Sequence, residues 1–344
     1  MHDLSRGRLI VTGGAGLIGS AVIWALNRRG IDDILVVDRL DIGEKWRNLV
    51  PLRYADYLDA DDFEHRLLEQ PRSFDGVCAV VHLGACSATT ERDAGFLMRN
   101  NYAYTKHVAH WCVAADVRLL YASSAATYGA METDLSDSCA LDTLRPLNAY
   151  AYSKHRFDLY AADNGILDRL CGVKYFNIFG PNESHKGDMR SVVQKAYEQI
   201  QATGRVALFK SYRPEFSDGE QRRDFLYVKD AAEMTLHLLE SDTCGLVNVG
   251  AGRAQTWLDL VRPIFRSLNL PERIDFIEMP DALRGKYQYV TCATIDKLLA
   301  SGYRQPIASL DDTVHDYVTQ YLVPDKRLDP ADAPIALCLE RRSP

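Results

Sequence analysis

Thr12-Gly13-Gly14-Ala15-Gly16-Leu17-Ile18-Gly19 follows the apolar run Leu9-Ile10-Val11 and opens a helical pattern that Gly30 ends. It parses as Gly14-x-Gly16-x-x-Gly19 or as Gly13-x-x-Gly16-x-x-Gly19, with the same chemistry either way. Missing Cβ atoms permit a tight turn, let the backbone approach a pyrophosphate, and let the helix pack against the strand. A helix starting near Leu17 then aims its free N–H groups at the phosphates. Asp38 lies nineteen positions beyond Gly19, at the end of Ile34-Leu35-Val36-Val37-Asp38, the spacing of a ribose-binding acid. A glycine-rich turn with no ligand is the bland alternative. The strand before, the helix after and the acid beyond argue against it.

Beyond this segment, Cys78-Ala79-Val80-Val81-His82 and Leu119-Leu120-Tyr121-Ala122-Ser123 are further near-continuous apolar runs. Strands buried on both faces look like this, and their alternation with helical patterns predicts an α/β fold. The fold class expected is a Rossmann-type doubly wound parallel sheet with a smaller, discontinuous substrate-binding domain and the ligand at the strands' carboxyl ends. Phe225-Leu226-Tyr227-Val228 and Leu246-Val247-Asn248-Val249 read as strands returning to the sheet, and Tyr212 to Arg222 as a polar loop. The expected division is residues 1–176 and 224–250 for the dinucleotide domain, and 177–223 and 251–322 for the substrate domain. Residues 323–344, with Pro324, Pro330 and Pro334, read as a loosely attached tail.

Composition narrows the class. A length of 344 residues, 47% hydrophobic and 25% charged, suits a soluble enzyme, and a net charge of −7 argues against non-specific nucleic-acid binding. No apolar run reaches the ~18 residues of a membrane span, and the polar stretch Met1 to Gly7 predicts no secretory signal. Eight scattered cysteines without a Cys-x-x-Cys pair predict reduced thiols and no metal site. A cytoplasmic, membrane-free, metal-free protein is expected.

Asp38 alone favours NAD, because a carboxylate repels a 2′-phosphate. Arg39 beside it, with Lys45 and Arg53 near in sequence, can pair with such a phosphate and tips the expectation to NADP. Asp56, closing Leu52-Arg53-Tyr54-Ala55-Asp56, is expected where a third strand meets the adenine. Leu83-Gly84-Ala85-Cys86-Ser87, after the fourth strand, is expected to let the backbone approach the cofactor. Asp56 and this loop also fit ordinary strand-end loops.

At the chemical end, Asn148-Ala149-Tyr150-Ala151-Tyr152-Ser153-Lys154 places Tyr150 and Lys154 on one helical face. A free phenol, with a pKa of ~10, is a poor base at neutral pH. A nearby ammonium and a cationic nicotinamide ring stabilise the phenolate. Tyr152 turns away and reads as packing. Upstream, Tyr121-Ala122-Ser123-Ser124-Ala125-Ala126-Thr127-Tyr128-Gly129 offers Ser124 to a substrate oxygen; strand-end capping is its bland reading.

The glycine motif, Ser124 and Tyr150-x-x-x-Lys154 together resemble the extended short-chain dehydrogenase/reductases that modify nucleotide sugars. Further blocks narrow the resemblance: Leu83 to Glu91, Leu120 to Gly129, Tyr175-Phe176-Asn177, His185-Lys186-Gly187, Arg223 to Val228 and Gly285-Lys286-Tyr287-Gln288. Over about residues 8–322 the chain is similar to the ADP-L-glycero-D-manno-heptose 6-epimerases. The resemblance implies an NADP enzyme of lipopolysaccharide core-heptose synthesis, a homo-oligomer (pentameric in well-known members), acting by oxidation and reduction at C6″. It assigns acid/base roles to Tyr150 and Lys186, the latter without any independent mark in the sequence beyond its loop position. It implies that Asn177, Phe209, Arg223 and Tyr287 hold substrate, with Asp188 and Lys195 in the substrate loop. Leu17, Ile18, Asp38, Arg39, Lys45, Arg53, Ser87, Asn100, Lys154 and Ile178 would contact cofactor. Asp188 and Lys195 depart from the serine and histidine often found there.

A 4,6-dehydratase would carry an acidic pair after the serine, and Ser123-Ser124-Ala125-Ala126-Thr127 has none. A 4-epimerase has no need of a second base such as Lys186. A non-catalytic NADP sensor would typically have lost the Tyr/Lys pair that this chain keeps.

Overall fold

The structure, a computed structural model, describes residues 1–284 and 287–332. Gly285 and Lys286 of the last resemblance block, and residues 333–344 of the expected tail, lie outside the described residues.

Seven strands form the central sheet: β1 (Arg8–Thr12), β2 (Ile34–Asp38), β3 (Asp56–Asp59), β4 (Val77–His82), β5 (Arg118–Ala122), β6 (Cys171–Tyr175) and β7 (Gly245–Val249). All pair in parallel, in the order β7-β6-β5-β4-β1-β2-β3. The order reverses between β1 and β4, and that switch point opens a crevice at the carboxyl ends of the strands.

Strand periodicity explains the three layers. Leu9, Val11, Val36, Ala79 and Val81 point to one face, while Ile10, Leu35, Val37 and Val80 point to the other. Helices α1 (Leu17–Arg28) and, much later in the chain, Val228–Glu240 cover the first face. The second is covered by α2 (Ala60–Glu69), α3 (Tyr104–Ala115) and α4 (Ala149–Asp163). Phe63, Tyr104 and Phe157 fill the second face, and the buried Trp24 anchors the first. Truncating a side chain such as Trp24 costs about 3–5 kcal/mol.

The smaller lobe holds α5 (Val192–Thr203), α7 (Trp257–Ser267) and α8 (Leu310–Asp316), the helix over the first face being α6 (Val228–Glu240). Two strand pairs accompany them, Val206–Phe209 with Ile274–Ile277 and Arg222–Asp224 with Ala254–Thr256. One apolar core runs without a break from the first sheet face into this lobe.

Three expectations need correction. Leu226–Tyr227 does not return to the main sheet; it pairs with Ile178–Phe179, and Val228 already begins α6. The third strand begins at Asp56 rather than ending there. Residues 323–332, expected to hang loosely, pack against α1: Trp24 Nε1 donates to the Asp329 carbonyl (2.8 Å), and buried Leu328 donates its N–H to Asn182 Oδ1 (3.1 Å). The prolines do not free this stretch, because its backbone finds side-chain partners.

Candidate functional site

The glycine turn is dictated by backbone contact. Gly13 has φ of +67°, and its N–H donates to the Val37 carbonyl at 2.7 Å. A Cβ there would lie 2.8 Å from the Leu83–Gly84 backbone, and one at Gly19 would lie 2.1 Å from the Gly13 carbonyl oxygen. Gly16 begins α1 with no side chain capping it. The first-turn N–H groups therefore face the crevice, which fits a diphosphate.

Gly13, Gly16, Leu17, Ile18 and Gly19 line a cleft of about 540 Å³. Asp38, Lys45, Leu83, Gly84, Ala85, Ser87, Ser124, Tyr150, Lys154, Asn177, Ile178, Lys186 and Arg223 line it too. A second cavity of about 580 Å³ adjoins it, where Arg39, Cys86 and Asn100 meet Asp38 and Lys45. Asp38 accepts from the Ala15 N–H (2.8 Å), the Arg39 N–H (2.8 Å) and the Lys45 ammonium (2.7 Å). A carboxylate has about four acceptor sites, so one remains for a ribose hydroxyl. Arg39 is ion-paired with Asp61 and hydrogen-bonded to Asn100 Oδ1.

Two expected cofactor contacts are not brought here. Arg53 lies at the amino ends of β2 and β3, paired with Asp32 (3.0 Å) and donating to the Asn27 carbonyl. Asp56, as the first residue of β3, is at that same far end. At the near end of β3 stands Asp59, which caps α2. The misplacement is one strand length.

Asn148 caps α4 through the Ala151 N–H (2.8 Å), which presents Tyr150 in the first turn and Lys154 one turn later. Lys154 Nζ donates to the Ala122 carbonyl (2.8 Å). Burial pulls the Lys154 pKa down to about 8, against the raising influence of Asp158 and Cys86. The Tyr150 phenol is pushed up by burial, opposed by a hydrogen bond with Ser124. This is opposite to the direction expected from the neighbouring ammonium, because desolvation by burial dominates.

Lys186 sits in the turn Ser184–Met189. Burial lowers its pKa, and Glu183 opposes the shift. Glu183 is itself held by the Ser191 hydroxyl (2.6 Å). His185 also lines the cleft, with burial lowering its pKa to about 4, and approaches Asn48 Nδ2 at 3.3 Å.

On the substrate side, the Arg223 guanidinium lies against two rings, 5.1 Å from the centre of Tyr287 and 5.8 Å from that of Trp257. Trp257 Nε1 donates to the Tyr287 hydroxyl at 2.8 Å. Asn177 Nδ2 donates to the Asp224 carbonyl (3.0 Å). Phe209 ends its strand outside the cleft lining, and Lys195 donates to the Asp188 carbonyl on the outer side of the Lys186 turn. The 211–222 loop is pinned to Tyr289, whose hydroxyl accepts the Tyr212 N–H (2.9 Å) and whose ring lies 4.3 Å under Arg213. Sequence reasoning missed Gln288 and Thr291 in the cleft. The Thr291 hydroxyl is buried with no hydrogen-bond partner among the described residues. Only the fold brings it there.

Residues 9–250 match the NAD dependent epimerase/dehydratase family. The chain is 51% identical over 315 residues to the ADP-L-glycero-D-manno-heptose-6-epimerase of Nitratidesulfovibrio vulgaris, covering 91% of this chain and 97% of that one. It is 45% identical over 325 residues to the protein of that name from Fusobacterium nucleatum, covering 91% and 98%. Among solved structures, the Helicobacter pylori ADP-L-glycero-D-manno-heptose-6-epimerase superposes with a TM-score of 0.77 at 24% identity, covering 92% and 96%. The UDP-glucose 4-epimerase of Thermotoga maritima superposes with a TM-score of 0.76 at 22% identity, covering 93% and 100%. The chain belongs to the NAD dependent epimerase/dehydratase family and, within it, to the ADP-L-glycero-D-manno-heptose-6-epimerases.

Proposed function

We propose that the chain interconverts ADP-D-glycero- and ADP-L-glycero-β-D-manno-heptose by transient oxidation and reduction at C6″. It would serve lipopolysaccharide core-heptose synthesis in the cytoplasm, as a homo-oligomer and by resemblance a pentamer. NADP is the preferred nicotinamide cofactor; when bound, it supplies a hydride acceptor and donor that is regenerated each turnover. The observation that carries the reading is that Tyr150 and Lys186 line the same cleft as the glycine turn.

The two epimers present their C6″ hydroxyls on opposite sides. Tyr150 takes or returns the hydroxyl proton of one epimer, and Lys186 that of the other. Burial of Lys186 favours its neutral form, as a base requires. Ser124 hydrogen-bonds the oxygen while it has carbonyl character. Lys154, against the Ala122 carbonyl, supplies positive charge next to the Tyr150 phenolate. Arg223, against the Tyr287 and Trp257 rings, holds the substrate diphosphate, supported by Asn177 and Tyr287. Arg39 and Lys45 face the adenosine end, where a 2′-phosphate would draw Arg39 away from Asp61. Arg53 and Asp56 have no part in this reading.

Substrate carrying deuterium at C6″ tests the mechanism. Internal hydride return predicts that the product keeps its C6″ deuterium in ordinary water. Loss of the label to solvent would mean epimerisation by carbon deprotonation and would refute the redox route.

A further inference from the structure

Beneath the cleft lies a buried ion pair that the reaction above does not use. Asp158, one turn beyond Lys154 on α4, faces Lys174 of β6 at 3.8 Å, with both side chains excluded from solvent. Asp158 is tied to the end of β5 and Lys174 to the turn that follows it. Asp158 accepts from Ser123 Oγ (2.6 Å) and from the Tyr121 hydroxyl (3.0 Å). The Lys174 ammonium donates to Thr127 Oγ1 (2.6 Å) and lies 4.5 Å from the centre of the Tyr128 ring. Thr127 in turn donates to the Ser124 carbonyl (2.7 Å).

Ser124 is thereby clasped from both sides, through Ser123 to the anion and through Thr127 to the cation. Lys154 adds a third tie from α4 to the same stretch, at the Ala122 carbonyl. A buried ion pair is poor adhesive, since desolvation offsets much of the attraction and an apolar pair of similar size often does as well. Here its hydrogen bonds converge on the one segment that carries Ser124.

We propose that the Asp158–Lys174 pair is a positioning device that fixes the Tyr121-to-Thr127 stretch against α4, setting Ser124 relative to Tyr150 and Lys154. This rests on the reading of those three residues as the reacting groups.

Ser123→Ala is the decisive variant, because it deletes one hydrogen bond while leaving both charges paired and the fold intact. Expected is a fall in kcat of roughly 10- to 100-fold, the scale of a small misplacement. KM and cofactor affinity should stay within about twofold of wild type. Lys174→Met would strand the Asp158 charge and risks unfolding the chain, whereas Lys174→Arg keeps charge and donor and should retain most turnover. Wild-type kcat in Ser123→Ala, with only a lower unfolding midpoint, would make the pair purely structural and overturn the proposal. A raised KM with unchanged kcat would overturn it as well. Tyr150→Phe is measured alongside: undiminished turnover there would overturn the site reading and the proposal with it.

Discussion

Replacing Lys154 by methionine should abolish turnover and yet make the cofactor-free protein more stable at neutral pH. The magnitude follows from burial. The Lys154 pKa falls from 10.5 to about 8 in the folded chain. At about 1.4 kcal/mol per unit, keeping this ammonium charged costs the fold about 3 kcal/mol below pH 8. Methionine removes that cost but also removes the hydrogen bond to the Ala122 carbonyl, worth about 1–2 kcal/mol. The net gain expected at pH 7 is about 1–2 kcal/mol. The sign of the pH dependence is fixed. Between about pH 8 and about pH 10.5 the folded wild type has lost a proton that the unfolded chain still holds, so wild-type stability rises with pH there. The variant lacks this rise, and its advantage should shrink by up to about 1.4 kcal/mol per pH unit. Urea unfolding of cofactor-stripped protein at neutral and alkaline pH measures both terms. A Lys154→Met protein that is less stable at pH 7 and follows the wild-type pH slope would show that the buried Lys154 ammonium does not destabilise the fold.

Other expectations follow from the same geometry. Tyr150→Phe should lower kcat by about a hundredfold or more while leaving cofactor binding nearly intact, as read by turnover and by titration of cofactor fluorescence. Lys186→Met should suppress epimerisation on a similar scale with an unchanged circular-dichroism spectrum, and wild-type rates would return Lys186 to the role of a surface lysine. Gly19→Ala drives a Cβ to 2.1 Å from the Gly13 carbonyl, so cofactor should be lost from the purified protein and the unfolding midpoint lowered. Arg223→Ala removes the cation beside Tyr287 and Trp257 and should raise KM about tenfold or more with a smaller effect on kcat.

Much of the fold and the site is legible in the sequence, for identifiable reasons. β1, β2, β4 and β5 are buried on both faces, so they read as unbroken apolar runs, and the glycine turn depends on local backbone demands. Tyr150 and Lys154 share a helix, so their spacing alone brings them together. β3 was harder. As an edge strand, Asp56–Asp59 is only half-buried and carries an aspartate at each end, so its register could not be read from hydrophobicity. That one-strand slip sent Asp56 to the wrong end of the sheet, and Arg53, expected from sequence nearness and from the resemblance, lies there too. Lys186 and Arg223 sit on loop and short-strand segments whose approach to the cleft is purely tertiary, and family resemblance alone pointed to them. Thr291 and Gln288 carried no assignment, because nothing local distinguishes them. The segment 323–332 looked loose because prolines and charges dominate it, whereas Asn182 and Trp24, distant in sequence, hold it down.

Incubating the purified protein with ADP-D-glycero-β-D-manno-heptose, without added cofactor, and following the configuration at C6″ by NMR reads the epimerisation itself. Conversion to the L-glycero epimer, approaching one equilibrium ratio from either side, is the predicted result. A substrate that remains unchanged, even after NADP is supplied, would rule out this epimerase activity and leave only the fold and the cofactor cleft.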